Sequence, residues 1–232
     1  MMSCAQNLRK TNKPMSTFQN QMSQSPAVFN LLIANTVAYL ATSLLSINTL
    51  YGLFALFPVE SPFFHFWQPV TYMFLHGGFS HLFFNMFALW MFGRGLEQEM
   101  GTKRFLVYYF VCGVGAALAQ LGIALIDINN MSSQYELVQY LCTPTVGASG
   151  AVFGLLLAFG MLHPNATIML MIPPIPMKAK WFVVIYGLIE LMLIVFQAQD
   201  GIAHFAHLGG MFFGWLLLLW WKRRDRNRGF YY

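Results

Sequence analysis

A serine and a histidine, each with glycines close by, lie in long uncharged stretches of this chain. Ser149 stands in the sequence Gly-Ala-Ser-Gly, and His207 stands in the sequence Ala-His-Leu-Gly-Gly. A serine hydroxyl is a weak nucleophile until a neighbouring base takes its proton, and imidazole is the commonest base. Gly147 and Gly150 allow a tight turn around the serine. These residues predict nucleophilic catalysis, with Ser149 as nucleophile and His207 as base.

The glycines that follow His207 recur at helical spacing. His207, Gly210 and Gly214 fall at i, i+3 and i+7, so they share one face of a helix that another backbone can approach closely. An alternative is that the small residues serve packing alone, with Gly150 and Gly154 forming a GxxxG face. In that case His207 is a structural histidine that a hydroxyl caps.

The two candidates should lie at a similar depth in a membrane. Ser149 precedes Leu162 by 13 residues and His207 precedes Trp221 by 14 residues. Each interval is about 20 Å of helix at ~1.5 Å per residue. Both predicted spans run in the same direction, so the hydroxyl and the imidazole can meet below the outer surface. An ionisable side chain inside a span is costly and is therefore a functional candidate.

A second pair of polar residues lies at the outer end of another predicted span. His81 and Asn85 are at i and i+4, so both project from one helix face. Acyl transfer places negative charge on a carbonyl oxygen, and fixed hydrogen-bond donors stabilise it. His81, Asn85 and the backbone N–H of Ser149 are the candidate oxyanion hole. The alternative is ordinary hydrogen bonding between helices.

Four other ionisable residues fit the chemistry less well. Glu190 is the one acid deep inside a predicted span; a triad acid is conceivable, but the pattern favours a hydrogen-bonded structural glutamate. His204, three residues before His207, suggests no metal site because no third ligand has suitable spacing, and a structural or solvent-facing role is favoured. His65 and His76 are predicted to lie in the interface.

The composition predicts a helical membrane protein. The chain of 232 residues is 57% hydrophobic and 9% charged, whereas soluble domains carry roughly 25% charged residues. Backbone polar groups must be paired inside lipid, so the uncharged stretches should be helices. The six predicted spans are 27–47, 79–96, 104–126, 147–162, 181–198 and 203–221.

Charges in the loops predict the orientation. With six spans, all 13 lysines and arginines fall on the side that holds both tails, and the opposite loops hold only Glu60, Asp127, Glu136 and Asp200. The positive-inside rule then places both termini in the cytoplasm. The domains are a polar N-tail (1–26), a helical core (27–221) with an aromatic interfacial loop (48–78), and a basic C-tail (222–232). The bilayer explains the basic tails, so no nucleic-acid partner is predicted.

Three motifs together resemble the rhomboid family of intramembrane serine proteases. They are HxxxN from His81 to Asn85, GxSG from Gly147 to Gly150, and AHxxGxxxG from Ala206 to Gly214. The resemblance covers roughly 60–221 and extends over the whole predicted core. It implies a six-transmembrane-helix rhomboid-like bundle of the minimal form, an all-α membrane protein in the bacterial plasma (inner) membrane.

The resemblance also implies roles for residues. Ser149 and His207 would form a dyad without an acid partner, and His81, Asn85 and the Ser149 amide would form the oxyanion hole. Gly147, Gly150, Gly210 and Gly214 would support the site, and Phe153 would stack on His207. One departure is Trp67-Gln68, where the family often has a Trp-Arg pair, which puts the polar contacts of that loop in doubt.

The function that the resemblance implies is endoproteolysis of transmembrane proteins, usually single-pass, in or near their spans. The alternative is a catalytically silent relative that binds and delivers membrane proteins, although such relatives typically lack the serine or the histidine. A transporter is disfavoured because no internal repeat is found and Glu190 is the only deep charge. No metal or organic cofactor is implied, and the oligomeric state is left open.

Overall fold

Each predicted span corresponds to one helix, and the bounds of the helices differ from the predicted bounds by up to six residues. The computed structural model describes residues 23–45, 47–169, 174–196 and 203–227; most of the predicted N-tail, Asp200 and the last residues of the C-tail lie outside them. The described helices are α1 Pro26–Leu44, α2 Ile47–Phe54, α3 Gln68–Thr71, α4 Phe79–Met100, α5 Thr102–Asn130, α6 Gln134–Leu141, α7 Ser149–Leu162, α8 Ala179–Val195 and α9 His204–Asn227.

Apolarity and length mark part of this set as membrane-spanning. In the described chain, α1 and α5 are each long and apolar enough to cross a bilayer, and α7 is a shorter apolar helix of 14 residues. Large apolar side chains also face outward, above all on α8, where Trp181 is 53% exposed and Met192 is 55% exposed. An apolar outer surface of this kind is what lipid contact requires.

The structure contains elements that the prediction of an all-α fold omitted. Strand β1 (Thr167–Met169) pairs antiparallel with strand β2 (Pro176–Lys178) between α7 and α8. The interfacial loop at 48–78 contains most of α2, all of α3 and a 3-10 turn at Tyr72–Phe74. Segments of three to eight residues are too short for hydrophobic periodicity to reveal.

The core centres on α7, which packs against both α5 and α9. A β-carbon on Gly210 of α9 would overlap the backbone carbonyl of Gly150 on α7, so this crossing requires a glycine. The Tyr108 hydroxyl of α5 donates a hydrogen bond of 2.8 Å to the carbonyl of Gly154. The first contact holds the beginnings of α7 and α9 side by side, and the second fixes α7 against α5.

Charged side chains form the contacts that fix the opposite end of the bundle. The buried carboxylate of Glu97 on α4 accepts hydrogen bonds from the N–H groups of Ala27 and Val28, both at 2.9 Å. It therefore caps the N-terminus of α1, where N–H groups have no helical partner. Arg104 at the start of α5 donates two hydrogen bonds, at 2.9 and 3.1 Å, to Asp225 near the end of α9.

Candidate active site

Ser149 is the first residue of α7, at the end of a constrained turn. Gly147 has a φ of 128° and donates its N–H to the Tyr72 carbonyl at 3.0 Å. The first N–H to bond back into the turn is that of Val152, which reaches the Ala148 carbonyl at 3.0 Å. The Ser149 N–H precedes it at the positive end of the helix, where donors are free to bind an anion.

His207 contacts the serine directly. Its Nε2 lies 2.8 Å from the Ser149 Oγ, so the hydroxyl can donate to the imidazole when the ring proton is on Nδ1. The Phe153 ring stacks on the imidazole with centroids 4.2 Å apart and planes 8° apart. His207 is buried, whereas Ser149 is partly exposed. The contact can therefore transfer a proton, and the stack restrains the plane of the base.

A carboxylate lies behind the histidine. Glu190 Oε1 on α8 is 3.0 Å from His207 Nδ1, although the ring N–H does not point straight at it. Glu190 Oε2 is 2.6 Å from His204 Nδ1, and all three side chains are buried. The predicted solvent-facing option for His204 is therefore wrong. Residue spacing could not reveal this cluster, because no spacing rule relates α8 to α9.

The same three residues could also be considered as metal ligands. Each of Glu190, His204 and His207 offers one ligand atom, and these atoms lie within 4.8 Å of one another. Spacing along the sequence offers no third ligand, whereas the fold supplies Glu190. However, both Nδ1 atoms lie at hydrogen-bond distance from the carboxylate. The 2.6 Å between His204 Nδ1 and Glu190 Oε2 suits a hydrogen bond and is shorter than the ~3.3 Å that separates two tetrahedral ligands of one Zn²⁺.

His81 faces the serine from α4. A β-carbon on Gly147 would lie 2.8 Å from His81 Nε2 and 3.6 Å from Ser149 Oγ, so both atoms border one small space. The Gly77 N–H approaches His81 Nδ1 at 3.4 Å, which favours the tautomer with the proton on Nε2. The Asn85 amide donates at 2.9 Å to the His81 carbonyl and keeps a second N–H.

Two polar residues of the segment before α4 are more buried than an interfacial loop predicts. Gln68 is fully buried; its amide donates to the Phe63 carbonyl at 2.8 Å, and its oxygen accepts from the Phe57 N–H at 3.3 Å. The glutamine therefore supplies polar contacts of its own. His76, predicted to be interfacial, is 1% exposed beside the His81 ring. Burial lowers the pKa of His76 to about 4, so it is neutral at pH 7.

A bundle of apolar helices with lipid-facing side chains defines an integral membrane protein. Within that class, the Rhomboid domain family model matches residues 64–224. The chain belongs to the rhomboid family.

Curated relatives agree with this assignment. The chain is 30% identical over 153 residues to Rhomboid protease AarA of Providencia stuartii. The aligned residues cover 65% of this chain and 54% of the relative. It is 36% identical over 155 residues to RHOMBOID-like protein 5 of Arabidopsis thaliana, and the aligned residues cover 66% of this chain and 44% of the relative. Rhomboid protein 1, mitochondrial, of Saccharomyces cerevisiae is 30% identical over 148 residues, covering 62% and 40%. The chain thus spans about half the length of these relatives or less. The family match and the protease named among the relatives support intramembrane proteolysis as an activity of the family.

Proposed function

We propose that this chain is an intramembrane serine endopeptidase that cleaves transmembrane proteins through Ser149 and His207. The observation that carries the proposal is the contact of 2.8 Å between Ser149 Oγ and His207 Nε2 in a member of the rhomboid family. The stacked Phe153 supports it, because a base that holds one orientation keeps its lone pair on the hydroxyl.

The reaction takes two steps of acyl transfer. Ser149 Oγ attacks the peptide carbonyl while its proton passes to His207 Nε2, and the imidazolium then protonates the leaving amine. Water attacks the resulting ester and gives its proton to His207. His207 then returns this proton to the Ser149 oxygen as the carboxylic acid product leaves, which restores the serine hydroxyl. No metal or cofactor is needed for this sequence of bonds.

We propose that three donors bind the oxyanion of each tetrahedral intermediate. They are the Nε2–H of His81, the free amide N–H of Asn85 and the backbone N–H of Ser149. His81 borders the same space as the serine Oγ, and the serine amide lies at the positive end of α7. One such donor contributes about 2.7–4 kcal/mol to transition-state stabilisation in other serine proteases.

The proposed topology has six spans with both termini in the cytoplasm. Helices α1, α4, α5, α7, α8 and α9 correspond to the predicted spans, and the segregation of basic residues sets their direction. The active site then lies towards the outer side. We place the protein in a bacterial plasma membrane, although its relatives include mitochondrial and plant proteins.

The proposed substrates are single-pass membrane proteins. A helix hides its carbonyls in internal hydrogen bonds, so the segment at the cut must be extended. Small residues at the cut and helix-breaking residues after it would allow the backbone to reach Ser149. Water must also enter, and the partial exposure of Ser149 is consistent with access from one side.

The test is cleavage of a tagged single-pass substrate by the purified full chain in liposomes. Wild-type protein should cut, and Ser149→Ala and His207→Ala should each lose activity by at least about 10³-fold while they remain folded. Ser43→Ala is the matched control, because Ser43 is exposed and bonds only locally to the Tyr39 carbonyl. Residual cleavage by Ser149→Ala would mean that another residue is the nucleophile. Substrate binding without cleavage by the wild type would favour the silent relative.

A further inference from the structure

We propose that Glu190 is a positioning acid for the catalytic base, which extends the dyad to a line of Ser149, His207 and Glu190 with His204 holding the carboxylate. The inference rests on the proposed function and goes beyond the acid-free dyad that the resemblance implies. It assigns a role to the one deep acid of the predicted spans and to the histidine beside it.

The geometry places one carboxylate between two imidazoles. Glu190 projects from α8, and His204 and His207 project from the first turn of α9 at i and i+3. Each carboxylate oxygen has its own partner, Oε1 at 3.0 Å from His207 Nδ1 and Oε2 at 2.6 Å from His204 Nδ1. Two anchors on one rigid helix turn fix the orientation of the carboxylate better than one anchor could.

Burial argues that the contacts are specific. Glu190, His204 and His207 are each 6–7% exposed. A buried carboxylate without partners costs several kcal/mol, so such a residue persists only where donors surround it. A purely structural glutamate could use any backbone or hydroxyl donor. This one is directed at the far side of the imidazole whose near side holds the serine hydroxyl.

The arrangement sets the tautomer of the base. With a proton on Nδ1 facing Glu190, His207 has its lone pair on Nε2, where Ser149 Oγ lies at 2.8 Å. When the serine proton reaches Nε2, the ring becomes an imidazolium beside an ionised carboxylate. Glu190 stays deprotonated throughout, and the proton goes on to the leaving amine. The bent Nδ1 contact of the resting enzyme should straighten as that charge develops.

The first experiment compares Glu190→Gln and Glu190→Asp with wild type, as full chains in liposomes. Glutamine can present an N–H to Nδ1 and favour the wrong tautomer, so kcat should fall at least about tenfold, with about 10⁴-fold as the upper bound for such a change. KM should stay within about twofold, because Glu190 does not contact substrate. Aspartate keeps the charge and should recover part of kcat.

A second readout is independent of the substrate. Labelling of Ser149 by a fluorophosphonate probe should slow in Glu190→Gln in proportion to kcat, and His204→Asn should slow it less. In wild type with Ser149 labelled by the probe, where the imidazolium forms beside Glu190, the Nδ1 proton of His207 should give a far-downfield NMR signal that is absent from His207→Ala. This signal supports the proposal even if Glu190→Gln fails to fold, and its absence overturns the proposal.

The matched control is Glu99→Gln. Glu99 also contacts an imidazole, with Oε2 at 2.8 Å from His163 Nε2, but in a partly exposed pair away from Ser149. Its kcat and labelling rate should match wild type.

Equal kcat in Glu190→Gln and wild type, with only the melting temperature lowered, would make Glu190 structural. Loss of wild-type activity on chelation, with recovery on adding Zn²⁺, would also overturn the inference. Wild type inert to both substrate and probe would instead contradict the proposed function.

Discussion

Both the backbone conformation and the packing at position 147 require a glycine. Its φ of 128° is strained for any side chain, and a β-carbon there would lie 2.8 Å from His81 Nε2. Gly147→Ala should therefore displace the imidazole and cost about 1–3 kcal/mol of stability through backbone strain. We expect kcat to fall by at least about tenfold, measured by cleavage kinetics beside thermal unfolding in detergent.

Gly95→Ala is the control for this substitution. Gly95 lies on an exposed face of α4, has nothing within 4 Å of its β-carbon position, and has no positive φ. Alanine there should leave kcat unchanged and raise the stability of the helix by up to about 1 kcal/mol. If Gly147→Ala cleaves as fast as Gly95→Ala, then His81 does not need its present position for catalysis.

Counting residues along helices anticipates some side-chain contacts and not others. The meeting of Ser149 and His207 is expected from their equal depth in the predicted parallel spans and from glycine faces that allow close approach. The place of Glu190 depends on how α8 is rotated about its own axis, which packing decides. Short-range spacing also cannot reveal that His204 turns inward, because an i, i+3 pair on α9 fixes a shared face but not what covers it.

At the scale of elements, the N-terminus of α1 depends on one residue of α4. Glu97 is 1% exposed and accepts from two N–H groups that have no helical partner. Glu97→Ala would leave both donors buried and unpaired, at a cost of about 2–4 kcal/mol. We expect a lower melting temperature in detergent with unchanged kcat of the folded fraction.

Glu99→Ala provides the comparison for Glu97→Ala. Its carboxylate pairs with His163 while 35% of the side chain remains exposed, and such surface pairs contribute at most about 1 kcal/mol. Equal melting temperatures for the two variants would show that water replaces Glu97 as the cap of α1.

The positions of the helix ends show why predicted membrane spans locate the helices but not their exact bounds. The second predicted span ends at 96, close to Arg94, yet α4 continues to Met100 and stops where Gly101 adopts a φ of 78°. Charge marks where lipid ends, whereas backbone conformation marks where the helix ends. For the same reason, α9 passes Trp221 and continues to Asn227 among basic residues.

At the scale of the whole molecule, the two ends of the bundle differ in charge. The Arg104–Asp225 pair and the Glu97 cap lie at the end where the described loops are basic. At the other end, the Tyr140 hydroxyl donates to Asp127 at 3.0 Å, and Ser149 opens α7. If lipid orientation follows this difference, the active site faces outward and receives substrates and water from that side.

Native cysteines allow a test of this orientation. Cys142 is exposed in the segment between α6 and α7, on the proposed outer side, whereas Cys112 is buried; Cys4 lies in the proposed cytoplasmic tail, outside the described residues. In intact bacterial cells, a membrane-impermeant maleimide should label the wild type and Cys4→Ser equally and should not label Cys142→Ser. After lysis, Cys142→Ser should be labelled through Cys4. Labelling of Cys142→Ser in intact cells would put the N-tail outside, and the serine would then open towards the cytoplasm.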